Sequence, residues 1–197
     1  MELSRQMLLL TAENYGSYYL HITYQINFDY TFALADIRAS VDGADSMEFS
    51  QERPELIDKF KYDWVTADSE LIPDFVVIMS ELLGCKTGLK SKVEELSQSF
   101  KFHDLKIGDR NYTAFINIPT LQNCINLKKS KVVKFSNGDI MEIANPVFLP
   151  GEYPLLFKLE DMPSTFFCSQ DFKDFVETNS YTGLRFKECV VKSKSWF

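Results

Sequence analysis

Glycine is scarce in this chain, eight residues in 197, and no two are adjacent. A phosphate-cradling loop needs several glycines within one turn, so the nucleotide-binding signatures are excluded. Histidine is scarcer still, with only His21 and His103. The four cysteines, at 85, 124, 168 and 189, stand too far apart for a Cys-x-x-Cys metal or redox motif. Long apolar runs are missing as well: Met7 to Leu10 is far too short for a signal core or a membrane span. Nor is there an excess of positive charge. The net charge of −7 argues against a nucleic-acid binder, which needs clustered Lys and Arg to meet phosphates. These absences lead us to expect a soluble cytoplasmic protein whose thiols stay reduced and act as small buried hydrophobes, with no metal or cofactor.

What the chain does have is apolar and aromatic side chains. The hydrophobic fraction is 45%, with 17 Phe and 9 Tyr, enough to bury a core without disulfide staples. Its acids are gathered in one place. Residues 29–74 hold twelve acids against four bases, a net of −8, which leaves +1 for the remainder. The alternation from Tyr18 to Phe28 is the clearest strand. Residues 29–70 lack strong periodicity, although Pro54 to Phe60 fits a helical turn with Pro at its first position. Pro73 to Leu83 reads as a helix ended by Gly84. Phe100–Ile107 and Tyr112–Ile118 form a hairpin about Gly108. Asn137-Gly138 marks another between Lys131–Phe135 and Asp139–Ile143. Short strands follow at 147–149, 155–159 and 165–168.

The densest pattern runs from Phe166 to Val190 and reads strand, helix, strand. Ser169 is a candidate N-cap and Asp171 suits the helix N-terminus. Phe172, Phe175 and Val176 share one helical face, and Asn179 is a candidate stop. The same unit occurs 83 residues earlier. Cys85 matches Cys168, Leu89 matches Phe172 and Val93 matches Val176. After a one-residue slip, Phe100, Phe102 and Asp104 match Leu184, Phe186 and Glu188. The expected fold class is therefore α+β, a mainly antiparallel sheet carrying two packed helices from a repeated strand–helix–strand unit (about 85–107 and 168–190). The expected division is an N-terminal strand region with an acidic loop-rich segment (1–70) and an α+β domain (71–197), or one continuous domain.

A helix capped by serine and followed by Tyr181-Thr182-Gly183-Leu184-Arg185-Phe186-Lys187-Glu188, with Pro154-Leu155-Leu156-Phe157 before it, resembles the C-terminal signature of a bacterial family of immunity proteins. This family is the eleventh in the usual listing and was formerly a domain of unknown function. Pro73-Asp74-Phe75, the helix around Leu89 to Leu96 and the stretch Cys124 to Ser130 are similar in order and spacing, so the resemblance covers roughly 70–191. Asn126 departs from it, standing where an acid is expected. The resemblance implies an inhibitor that binds and neutralises a cognate polymorphic-toxin domain by protein–protein association, without chemistry of its own.

The candidate partner-binding residues are Asp42, Asp45, Glu48, Asp58, Asp63 and Trp64. Acids in an inhibitor steer a basic toxin, and a Trp can anchor an interface. The same stretch also reads as solvated surface, and Phe60 with Trp64 as core contacts. The acids at 42, 45 and 48 lack the glycine and closing glutamate of a calcium loop. His103 cannot make a dyad with Asp104 in a strand, because neighbours point to opposite faces. No thiol sits in an electropositive setting that would activate it. The alternative reading is a small-molecule-binding or regulatory module of the same fold, with a pocket lined by Phe and Tyr.

Overall fold

The computed structural model describes residues 23–28, 37–40, 54–64, 72–78 and 81–192. The strands are β1 (Thr23–Phe28), β2 (Ile37–Ser40), β3 (Lys61–Trp64), β4 (Phe75–Ile78), β5 (Leu82–Lys86), β6 (Phe102–Ile107), β7 (Arg110–Phe115), β8 (Thr120–Leu121), β9 (Lys131–Lys134), β10 (Ile140–Asn145), β11 (Val147–Phe148), β12 (Leu156–Leu159), β13 (Met162–Ser169) and β14 (Leu184–Val191). Among the described residues two α-helices join them, α1 (Lys90–Leu96) and α2 (Gln170–Thr178), and a 3-10 segment spans Pro54–Lys59. The fold is α+β, and most of its regular structure is strand. Among the described residues no helix is long and apolar enough to cross a membrane.

The strands form a first sheet in the order β2-β3-β6-β7-β5-β4, a second in the order β11-β14-β1-β13-β12-β8, and a separate two-stranded hairpin of β10 and β9. Both large sheets are mixed, which corrects the expectation of a mainly antiparallel sheet. Parallel pairs join β3 to β6, β11 to β14 and β8 to β12. Parallel partners require long crossovers. Hairpin signals between sequence neighbours therefore gave no warning of them.

A second correction concerns residues 73–83, where β4 and β5 pair antiparallel in place of a helix. Phe75-Val-Val-Ile78 is apolar throughout and rich in β-branched side chains, which suits a buried strand. Gly84 sits within β5, where an added Cβ would stand 3.1 Å from the Thr113 carbonyl oxygen. Its smallness lets the strands approach and terminates nothing. Ser169 does hold the N-cap position of α2 in an extended conformation, yet its hydroxyl makes no capping hydrogen bond and is buried without a partner. Asn179 is the C-cap as expected, its side-chain amide donating to the Phe175 carbonyl at 2.8 Å.

The two strand–helix–strand units correspond strand by strand. In the first sheet β7 lies between β5 and β6, and in the second β1 lies between β13 and β14. Cys85 and Asp104 both face Thr113 in register, as Cys168 and Glu188 both face Tyr24. Phe102 pairs with Phe115, and Phe186 with Ile26. The correspondence reaches the outer strands. Tyr62 pairs with Ile107 where Phe148 pairs with Val191. The Gly108 amide donates to the Tyr62 carbonyl at 2.7 Å, and the Lys192 amide to the Phe148 carbonyl at 2.9 Å.

One cluster of buried side chains draws on both units: Phe75, Cys85, Val93 and Phe115 from one, Leu156, Cys168, Phe172, Val176 and Leu184 from the other. A second cluster lies on the first sheet around Tyr62, Leu105, Ile107 and Tyr112. A third, around Phe148, Phe157 and Phe167, lies on the second sheet beneath the β9–β10 hairpin.

Candidate functional site

A cleft of about 720 Å³ opens where β3 and β6 part company. Their pairing is confined to Tyr62 opposite Ile107, although β6 runs six residues. Upstream of that pair the chain turns into the 3-10 segment, and the gap widens. Ile57, Phe60, Tyr62, Leu105 and Tyr112 give the cleft apolar and aromatic walls, while Asp58, Asp63, Asp104, Lys61, Lys106 and Asn111 give it a charged and polar lining. The phenols are committed: Tyr62 donates to the Ile57 carbonyl at 3.0 Å and Tyr112 to the Pro73 carbonyl at 2.7 Å. Burial pushes both well above the ordinary tyrosine value, with the Asp58 charge adding to it at Tyr62 and the Asp74 charge at Tyr112. Neither phenol titrates at neutral pH.

Asp58, Asp63 and Trp64 come together at this edge, and each is engaged. Asp58 Oδ1 lies 2.7 Å from His103 Nε2, fastening the 3-10 segment to β6. Asp63 pairs with Lys61 at 3.0 Å. Trp64 turns inward, its ring edge-on to Tyr112 with centroids 5.9 Å apart, and its indole nitrogen is buried without a hydrogen-bond partner. Asp42, Asp45 and Glu48 lie outside the described residues. Three acids of the 29–74 stretch have described side chains, and all three have a basic partner, since Asp74 meets Lys86 at 2.9 Å. A continuous bare acidic face is therefore not what the described part presents. It presents a cleft of alternating charge around aromatic walls.

Sequence reading missed three contributors. Asp104, exposed and outside any ion pair among the described residues, looks from its neighbours like ordinary strand surface. Lys106 and Asn111 reach the cleft because the β6–β7 turn brings them there. His103 binds a carboxylate 45 positions away and not its neighbour Asp104. A contact at that separation carries no local signal.

The repeat supplies an internal control for the cleft. The registers that equate Tyr62 with Phe148 and Ile107 with Val191 also equate Lys61 with Val147, Asp63 with Leu149 and Lys106 with Val190. Three charged positions of the first unit are thus aliphatic in the second. Phe148 itself, at the position of Tyr62, packs with Tyr153, Phe157 and Phe167 in edge-on and stacked rings. The fold does not demand a charged cleft at this place. One unit carries charge at these three positions and the other does not.

The two motifs that carried the family resemblance prove to touch. Asp74 accepts from the Thr182 amide at 3.0 Å and the Thr182 hydroxyl at 2.9 Å, and the Phe75 amide donates to the Thr182 carbonyl at 2.9 Å. Pro73-Asp74-Phe75 and Tyr181-Thr182-Gly183 are thus a structural joint between the two units. Three of the four thiols are held in the un-ionised form. Burial pushes Cys85 up to about 12, Cys168 higher, and Cys124 above its ordinary value. Among the described residues no group of three or more His, Cys, Asp or Glu converges as metal ligands. Compared with known proteins, the sequence matches no family profile and no curated protein.

Proposed function

We propose that this chain is a binding protein that works by occupying a partner, and that the partner is a bacterial toxin domain, as the resemblance to immunity proteins implies. The observation that carries this reading is the cleft between β3 and β6, which bears charges at three positions that are aliphatic in the other unit. Aromatic walls with carboxylates and ammonium groups at the rim suit a protein surface bearing both charges, because desolvated aromatic contacts supply affinity and rim charges set orientation and encounter rate. The test is co-expression with the product of the adjacent reading frame. A complex should form and should weaken about tenfold or more in the double variant Asp63→Lys/Asp104→Lys. A complex equally tight in that variant would move the interface elsewhere. No complex at all would remove the toxin-binding reading.

The cleft volume also favours a second reading, a small-molecule module, since ligand pockets typically fall at about 300–1,000 Å³. A ligand that raises the melting temperature of the wild-type chain and not of Asp63→Lys/Asp104→Lys would select it.

A further inference from the structure

The β9–β10 hairpin carries a surface that the cleft reading does not use. Among the described residues the exposed large apolar side chains are Leu127, Val133, Phe135, Met141 and Val190, and four of these five belong to the hairpin or its approach. Phe135 is 53% exposed and Met141 59%. The opposite side of the hairpin is anchored, with Val132, Ile140 and Ile143 packed on the third cluster. One side is therefore held and the other is bare. Lys128, Lys131 and Lys134 are exposed along the hairpin and its approach, Lys131 on the side of Val133 and Lys134 on the other, and none has an ion-pair partner among the described residues; Asp139 and Glu142 are exposed on the hairpin as well. β9 pairs with β10 and with no other described strand, so among the described residues one of its edges has no partner.

Each possible occupant meets these facts differently. A bilayer would have to take unpaired backbone N–H and C=O groups of an open edge toward hydrocarbon, which lipid does not tolerate. Nucleic acid would meet a chain of net charge −7 and, among the exposed apolar side chains described here, a single ring, Phe135, on which to stack. A second copy of the same edge would set Lys131 and Lys134 against their like. An acidic protein strand meets none of these obstacles. It pairs with the backbone, its carboxylates meet the lysines, and its apolar residues cover the bare side chains.

We propose that the β9 edge accepts an extended acidic segment of a protein partner as an added strand. A carboxylate faces Lys131 and apolar side chains face Val133 and Phe135, which share one side by strand alternation. Further carboxylates meet Lys128 and Lys134. This surface lies on the second unit, apart from the cleft, so its failure would leave the cleft reading standing.

The probe is a fluorescent capped peptide, Ser-Glu-Val-Glu-Phe-Thr-Glu-Ser, with a control carrying Lys at each Glu. The acidic peptide should bind in low salt, the control at least about tenfold more weakly. Lys131→Glu/Lys134→Glu and, separately, Phe135→Ser should each abolish binding while keeping the wild-type melting curve. Backbone amides of residues 131–134 should gain protection from exchange when the peptide is present. Equal affinity for both peptides, no binding of the acidic one, full binding by both variants, or unchanged exchange at 131–134 would each overturn the proposal. So would two other results on the chain alone. Co-sedimentation with phosphatidylcholine–phosphatidylserine vesicles, lost in Phe135→Ser, would assign the surface to a membrane. Self-association lost in Lys131→Glu/Lys134→Glu would assign it to a second copy.

Discussion

A Cβ at position 183 would stand 2.0 Å from the Phe75 carbonyl oxygen and 2.8 Å from the Pro73 Cβ, in a residue whose φ is +103°. Gly183→Ala should therefore cost about 3 kcal/mol or more in urea unfolding, because both the backbone conformation and the docking of the two units are denied. A variant as stable as wild type would show the joint to be loose. Asp74, in the same joint, links stability to pH. Burial alone would raise its carboxyl, but hydrogen bonds from Lys86 and Thr182 outweigh that and hold it below the ordinary carboxylate value. A depressed folded-state value contributes stability above the unfolded pKa and loses it as pH falls through the folded one. Wild type should thus weaken on acidification below about pH 4, whereas Asp74→Asn should start about 2 kcal/mol lower and fall less steeply. Parallel curves would mean that other carboxylates govern acid unfolding. The thiols predict a simpler result. Cys85, Cys168 and Cys189 are buried and Cys124 is half-buried, so an aromatic disulfide reagent should titrate one thiol in the native state and four after denaturation.

At the scale of elements, the repeated helices put their apolar faces into a single core. Phe172 is fully buried there, edge-on to Phe75 with ring centroids 6.0 Å apart. Phe172→Ala should cost about 3–5 kcal/mol, measured by denaturant titration. Much at this scale was legible in the sequence. Period-two alternation revealed β1, the strand–helix–strand pattern revealed β6 and β14, Asn137-Gly138 revealed the β9–β10 turn, and the matched Cys, Phe and Val positions revealed the repeat. Residues 73–83 misled because a short, wholly apolar run has no period with which to separate strand from helix. The parallel pairs escaped because their partners are separated by long stretches of chain. The cleft escaped for the same reason: Asp58 and Asp63 carried a charge signal, but Asp104, Lys106 and Asn111 join them only through sheet order.

For the molecule as a whole, β1 is the central strand of the second sheet, with β13 on one side and β14 on the other. A fragment comprising 71–197 lacks it and should show no cooperative melting transition, while wild type melts cooperatively. A cooperative transition in that fragment would mean that β13 and β14 close on each other without β1. The placement of β1 also sets a timetable during translation. The pairing of β4 to β7 is complete once residue 115 has left the ribosome, whereas β1, which precedes them in the chain, stays without either neighbour until residues 162–191 follow. A nascent chain thus holds a β-strand in waiting from residue 28 until residue 162 is made, and a chaperone at the exit tunnel would find a client in that strand.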